Sequence, residues 1–366
     1  RIEQAVEEEQ EALSNLRHEH LDLQTPVSDD TGRHLEKLAS AVGGRSVELL
    51  TDEELYYAML EADSKEAYAE AERYAREQGR RHPGEADSLA NLAWILEHSG
   101  RTEEAEGHYR RALEADPTRE DIARHYAYLL ENLGRTEEGM QVLAAALEHN
   151  PDNPRVISHY AGFLMRAGDM ESAEARLTAA LERAPDHRGL LVTYARLLAQ
   201  TDRLEEALAT YDRAADAGAF DPEITRESAD LALALDQLDR AKAETDALLE
   251  NDPRSVPALN LQARVHLQQG AFAEAETDLR QALSNNGERL DLRFRLAIAL
   301  LGQGRRAEAR ELFSQAAREV SAETIAAYAV RPLEQLADRH TIPEADAFVQ
   351  WLRAPASSEP GQREEE

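Results

Sequence analysis

The chain has no cysteine, which rules out disulfides, thiolate metal sites and cysteine nucleophiles at once. Lysine is nearly absent too. Only Lys37, Lys65 and Lys242 occur, so arginine supplies almost all of the 41 basic residues, a usage suggestive of a GC-rich genome. Aromatic residues make up 5 % of the 366 positions. Acidic residues number 72, and the formal net charge is −31. Nucleic acid and anionic membranes require positive surface, so neither is expected as a partner. No apolar run approaches the roughly 18 residues needed to span a bilayer. Also missing are a glycine-rich phosphate loop, a G-x-S-x-G elbow, an H-E-x-x-H pair and an aspartate-rich calcium loop. The 12 histidines are scattered. His18 with His20, and His98 with His108, lack an evident third ligand. Paired carboxylates such as Glu103-Glu104, Glu137-Glu138 and Glu205-Glu206 fall where helices begin, and there they complement the positive helix end. No catalytic residue, metal or cofactor is therefore expected, and the chain is read as non-enzymatic.

What is present is a period. Residues 86–117, ADSLANLAWILEHSGRTEEAEGHYRRALEADP, read as two short amphipathic helices joined at Gly100 and stopped at Pro117. The pattern recurs every 34 residues, with units starting at Asp52, Ala86, Glu120, Pro154, Arg188, Pro222, Val256 and Leu290. A fixed period of this length decides the fold before any other signal. The eighth position of each unit holds Met59, Ala93, Ala127, Ala161, Ala195, Ala229, Ala263 and Ala297. The twentieth holds Ala71, Ala105, Gly139, Ala173, Ala207, Ala241, Ala275 and Ala309. Small residues there let paired helices approach closely. The turn position is glycine in five units, Asp202 and Asp236 in two, and Glu66 in the first. Thr51 with Glu54 predicts a capping box, and Thr102 and Thr136 are placed to cap second helices. Thr225, Ser228 and Ala232 predict a less well packed sixth unit. The tyrosines at the seventh position, Tyr126, Tyr160 and Tyr194, are assigned to the core.

This pattern resembles the tetratricopeptide repeat family over residues 52–323. The resemblance implies an all-α, right-handed α-solenoid of about eight helix–turn–helix units with helical caps at both ends. The expected organisation is an N-terminal helical cap or linker over 1–51, eight repeats over 52–323, capping helices over 324–353, and a disordered acidic tail over 354–366. Within the N-terminal segment, helices are predicted over 1–24 and 33–42. Helices near the C-terminus are expected to break at Pro332 and Pro343, with Phe348, Trp351 and Leu352 covering the last repeat.

The resemblance further implies that the first helix of each unit lines a concave surface. Its second, fifth, ninth, twelfth and thirteenth positions would meet a partner. The early lining is acidic and aromatic: Glu53, Tyr56 and Asp63, then Asp87, Trp94, Glu97 and His98, then Asp121, Arg124, Tyr128 and Glu131. Later units carry Arg155, Arg166, Arg196, Arg226 and Arg264, with His159 beside them. A planar guanidinium suits carboxylate recognition. The expected partner is thus a protein or peptide segment with acidic side chains, held by Trp94, Arg124, Tyr128, Arg155, His159, Arg166, Arg196, Arg226 and Arg264. Gly162 would leave a dip in the floor. Co-chaperones of the family grip acidic tails with lysine at the fifth and asparagine at the ninth position. Here those positions hold Tyr56 and Leu60, Ala90 and Trp94, Arg124 and Tyr128, so that role is not expected. Two other readings are a docking part of a larger enzyme, such as a transferase, and a self-assembling homo-oligomer. The start at Arg1 and the stalk-like first segment favour a bacterial assembly role in a periplasmic or membrane-anchored setting over a cytoplasmic one.

Overall fold

A computed structural model describes residues 46–285, 289–317 and 320–353. The helices expected over 1–24 and 33–42, and the tail from 354, lie outside those residues. Every regular element among the described residues is helical. The chain divides into two compact units, Arg1–Pro185 and Asp186–Glu366.

The first unit opens with a short 3-10 turn, Val47–Leu49, and then holds four helix pairs. These are α1 (Asp52–Ser64) with α2 (Tyr68–Arg81), α3 (Ala86–His98) with α4 (Thr102–Ala115), α5 (Glu120–Asn132) with α6 (Thr136–His149), and α7 (Pro154–Arg166) with α8 (Met170–Arg183). The second unit holds four more pairs: α9 (Arg188–Gln200) with α10 (Leu204–Asp216), α11 (Pro222–Ala234) with α12 (Leu238–Asn251), α13 (Val256–Gln269) with α14 (Phe272–Asn285), and α15 (Leu290–Gly302) with α16 (Arg306–Ala317). It ends in α17 (Ala322–Ile325), a π-helical turn (Ala326–Val330), α18 (Arg331–Arg339) and α19 (Ala345–Arg353).

Close packing explains the repeated small residues. The alanines at the eighth and twentieth positions are fully buried in every pair. The one glycine at the twentieth position, Gly139, is required by its neighbours. A Cβ there would sit 2.8 Å from the carbonyl oxygen of Ala127 and 2.8 Å from a ring carbon of Phe163 in the next repeat. At the turn, all eight residues are left-handed. Gly100 has φ 79°, and Glu66, Asp202 and Asp236 adopt 59°, 62° and 60° despite their side chains. The capping box at α1 is formed: the Thr51 amide donates to Glu54 at 2.7 Å, and the Glu54 amide to the Thr51 hydroxyl at 3.1 Å.

Thr102 and Thr136 are not caps. They are the first helical residues of α4 and α6, and Arg101 and Arg135 occupy the cap positions without side-chain capping bonds. Each of these arginines instead joins two carboxylates. Arg101 forks onto Glu104 at 2.7 and 2.6 Å and reaches back to Glu72 of the preceding repeat at 2.8 Å. Arg135 does the same with Glu138 at 2.6 and 2.7 Å and with Glu106 at 2.7 Å. In the second unit Arg305 does so with Glu308 at 2.7 Å and Glu276 at 2.6 Å. Hydrogen bonds from these arginines hold Glu104, Glu138 and Glu308 below the usual carboxylate range.

The sixth pair is held by a polar network. Buried Ser228 donates to Glu244 at 2.8 Å and accepts from Arg240 at 3.0 Å, while Arg240 also reaches Asp212 of the preceding repeat. Of the seventh-position tyrosines, Tyr126 is buried and stacks on Tyr109 at 6.1 Å. Tyr160 and Tyr194 are only half-buried, and Arg176 covers the Tyr160 ring. Pro332 does not break its helix. It lies in the first turn of α18, where a missing N–H matters least, and the π turn just before it joins α17 to α18. Beyond α18, Phe348 packs on Phe313 of α16 at 5.8 Å, and Trp351 and Leu352 pack against the same core.

Candidate functional site

The first helices of the first unit bring several predicted residues together. Trp94 donates its indole N–H to Asp63 of the preceding repeat at 3.1 Å, and His98 lies 2.8 Å from both Asp63 oxygens. The Trp94 ring meets His98 and His125 edge-on, at 4.2 and 5.0 Å. One repeat further, the Tyr128 hydroxyl is 2.8 Å from His159 Nδ1. The Tyr128 ring packs on Phe163 at 5.4 Å. Arg166 lies over Phe163 at 4.7 Å and forks onto Glu131 at 2.5 and 3.0 Å. Its guanidinium also covers the Gly162 position, 3.5 Å from where a Cβ would stand, so the dip expected there is filled.

One part of this surface gathers arginines around a buried histidine. Burial, followed by Arg124, Arg155, His125 and Arg166, pushes the His159 pKa down to about 3. The imidazole is therefore neutral at neutral pH, held so in part by surrounding cations. Arg124 is only 6 % exposed, with Nη2 3.4 Å from His125 Nε2. Arg124, Arg155 and His159 line one narrow crevice with Glu120 and Asp121. Trp94 edges another, mainly apolar, with Tyr56, Leu60, Ala90 and Ile122.

In the second unit the predicted arginines are engaged by carboxylates. Arg196 forks onto Glu227 of the next repeat at 2.9 Å through both Nε and Nη2, and touches Glu223 at 3.2 Å. The Tyr211 hydroxyl donates to the same Glu227. Arg226 is 3.4 Å from Asp230, and Arg264 pairs with the other oxygen of Asp230. The Arg196–Glu227 and Arg264–Asp230 pairs join neighbouring repeats, whereas Arg226 and Asp230 lie on one helix.

The first unit also holds a cavity that the repeat pattern does not announce. It measures about 600 Å³ and opens among the starts of α1, α3, α5 and α7. Its wall includes Asp52, Glu85, Asp87, Glu120 and Asp121, and its floor includes Gln78, Ser88 and Asn91. Polar residues at otherwise buried helix positions, Gln78 and Ser88, are the signal the sequence held for it.

Among the described residues, no group of three or more histidine, aspartate or glutamate side chains is placed to hold a metal ion. Nor is any helix there long and apolar enough to cross a membrane.

Three family models, each described as tetratricopeptide repeat, match the chain. One covers residues 98–161, 164–226 and 266–330, and the others cover 55–118 and 226–288. No curated protein matches. Among solved structures, a tetratricopeptide repeat protein from Parabacteroides merdae ATCC 43184 is similar at 20 % identity and a TM-score of 0.50, over 68 % of this chain and 98 % of that one. The APC/C hetero-tetramer Cut9-Hcn1 is similar at 12 % identity and a TM-score of 0.53, over 76 % of this chain and 60 % of that one. These identities establish a shared fold only. With more than half its length matched by one family model, and with helix pairs that start every 34 residues around buried alanines, this chain belongs to the tetratricopeptide repeat family.

Proposed function

We propose that the protein is a non-enzymatic scaffold that holds a partner polypeptide against the first helices of its first unit. Residues 52–323 form the repeat body and 324–353 its C-terminal cover. The observation that carries this reading is the side-by-side placement of Trp94, Tyr128 and His159 from three successive repeats, beside the crevice that Arg124 and Arg155 line. Aromatic anchors flanked by arginine are what binding surfaces are enriched in. An apolar side chain of the partner would lie on Trp94, and an acidic one would meet Arg124 and Arg155. Arg166, Arg196 and Arg264 also pair with a carboxylate of a neighbouring repeat, and Arg226 with Asp230 of its own helix.

The test is a capture experiment from the source organism's lysate at low and high salt. It compares the wild type with Tyr128→Ala/Arg155→Glu and with Arg196→Glu/Arg226→Glu/Arg264→Glu. The expected result is a partner kept by the second variant at unchanged helicity and lost by the first. Loss in the second variant alone would move the site to the other unit. Retention in both would remove the inner face from consideration.

A further inference from the structure

The 600 Å³ cavity lies beside this surface, and its chemistry is different. Five carboxylates line it, Asp52, Glu85, Asp87, Glu120 and Asp121, against the guanidiniums of Arg119 and Arg155 and the imidazole of His82. Arg119 is closed off by its own neighbours: it forks onto Asp121 at 3.0 and 2.7 Å and reaches Asp87 at 2.5 Å. His82 is held by Asp52 at 2.8 Å and lies 3.4 Å from Glu85. Hydrogen-bonding capacity is lopsided on the floor as well. Asn91 donates its amide to Gln78 at 3.1 Å, which leaves its own carbonyl oxygen available as an acceptor. Gln78 in turn donates to the Asp52 carbonyl. Ser88 is 5 % exposed and lines the cavity, so its small polar side chain adds a hydroxyl to the floor. The starts of α3, α5 and α7 bring partial positive charge to the same place. Asp87, Glu120 and Asp121 sit in the first turns of α3 and α5 and offset it there.

We infer that this cavity receives the cationic head of an arginine or lysine side chain from the partner polypeptide, with Ser88 and Asn91 as acceptors on the floor and Glu85 and Glu120 as charge partners at the wall. A guanidinium offers five donors in a fixed fork and no acceptor, the complement of a wall rich in acceptors. Tyr56 and Asn91 border both this cavity and the apolar crevice beside Trp94. Arg155 borders both the cavity and the crevice beside Arg124 and His159. One segment carrying a basic, an apolar and an acidic side chain would therefore engage all three. The inference rests on the scaffold reading above for the source of the cation, but its chemistry is testable separately.

Calorimetry on the full chain with three capped pentapeptides provides the test: Gly-Leu-Gly-Arg-Gly, the same with citrulline for arginine, and the same with glutamate. Citrulline keeps the shape and removes the charge. The arginine peptide should saturate a single site and weaken as salt is raised, with the other two weaker by about tenfold or more. Ser88→Leu fills the floor without changing charge, and Glu120→Gln removes one wall charge without changing volume. Both should weaken the arginine peptide, by about tenfold for Ser88→Leu, while the citrulline peptide is unaffected by Glu120→Gln. Equal binding of arginine and citrulline peptides, preference for glutamate, or wild-type affinity in both variants would overturn the inference. Arginine amide binding as tightly as the pentapeptide would also overturn it, since the occupant would then be a small amine. Capture of a partner without arginine-peptide binding sinks the cavity alone. Arginine-peptide binding without any partner sinks the scaffold reading alone.

Discussion

Gly139→Ala sets two physical effects against each other, and the structure decides the sign. Gly139 lies within α6, where glycine costs about 1 kcal/mol relative to alanine through helix propensity. Propensity alone therefore predicts stabilisation of that size. The packing says otherwise. The added Cβ would stand 2.8 Å from the Ala127 carbonyl oxygen, and that oxygen belongs to backbone inside α5. Ordinary contact begins near 3.5 Å, so the α5–α6 pair must open by roughly half an ångström or more. The Phe163 ring, also 2.8 Å away and fully buried, must move as well. Overpacking of this kind costs about 1–3 kcal/mol. The net expectation is destabilisation of up to about 2 kcal/mol, centred on the third repeat. Gly107 is the control: it lies inside α4 with no atom within 4 Å of where a Cβ would stand, so Gly107→Ala should stabilise by about 1 kcal/mol. A repeat array does not unfold as one block. The readout should therefore be local: urea unfolding followed by Trp94 fluorescence in a Trp351→Phe background, with amide exchange of α5 and α6. If Gly139→Ala stabilises as much as Gly107→Ala, the close approach at the eighth and twentieth positions is not what fixes the repeat geometry.

Three further outcomes are expected. Glu66 is left-handed at φ 59°, so Glu66→Gly should stabilise the first repeat by up to about 1 kcal/mol once the looser unfolded chain is offset, and Glu66→Val should destabilise it; thermal unfolding read at α1 and α2 distinguishes them. Ser228→Ala should cost about 1–3 kcal/mol, because Glu244 loses a donor while its second oxygen is already buried without one; amide exchange of α11 and α12 would show it, and no change would mean the network is incidental. Glu104, Glu138 and Glu308 have folded-state pKa values below their unfolded ones, so their arginine bonds contribute above about pH 4.5 and are lost as pH falls through the lowered values. Wild type should therefore lose stability progressively on acidification below that point, and Glu104→Gln/Glu138→Gln should lose less between neutral and acid pH than wild type does.

The repeat was legible because its constraint is local and periodic. An alanine where two helices touch, and a left-handed residue where they turn, recur at fixed offsets whatever the rest of the chain does. The places of Trp94 and Tyr128 on first helices were legible for the same reason. What could not be read was the partner of each charge. Arg196 meets Glu227 and Arg264 meets Asp230 across a repeat boundary, at separations no single-helix rule covers. Thr102 and Thr136 carried the right chemistry for capping one residue too late, because the helix began at the threonine and not after it. The sixth repeat looked weak because Ser228 was counted as a missing apolar contact, whereas its hydroxyl joins Glu244 and Arg240. The cavity left only a faint trace, polar Gln78 and Ser88 at buried positions, because it is made of absent volume between four helix starts.

The scarcity of lysine has a structural use as well as a compositional origin. At the cap of a second helix, Arg101, Arg135 and Arg305 each hold one carboxylate with Nε and Nη2 and another with Nη1. Three donors fixed in one plane can do this, and a single ammonium cannot hold both geometries. The same logic governs Arg166 and Arg196, each forked onto one glutamate. An acidic chain that builds its joints from arginine leaves its remaining carboxylates as the larger part of its exposed charge. Recognition by charge should then favour basic side chains wherever the wall is acidic, as at Asp52, Glu85 and Glu120, and acidic ones only where arginines gather, as around His159, which burial and then Arg124 and Arg155 keep neutral. Both surfaces meet at Arg155 in the first unit, while in the second unit Arg196 and Arg264 each pair with a carboxylate of a neighbouring repeat.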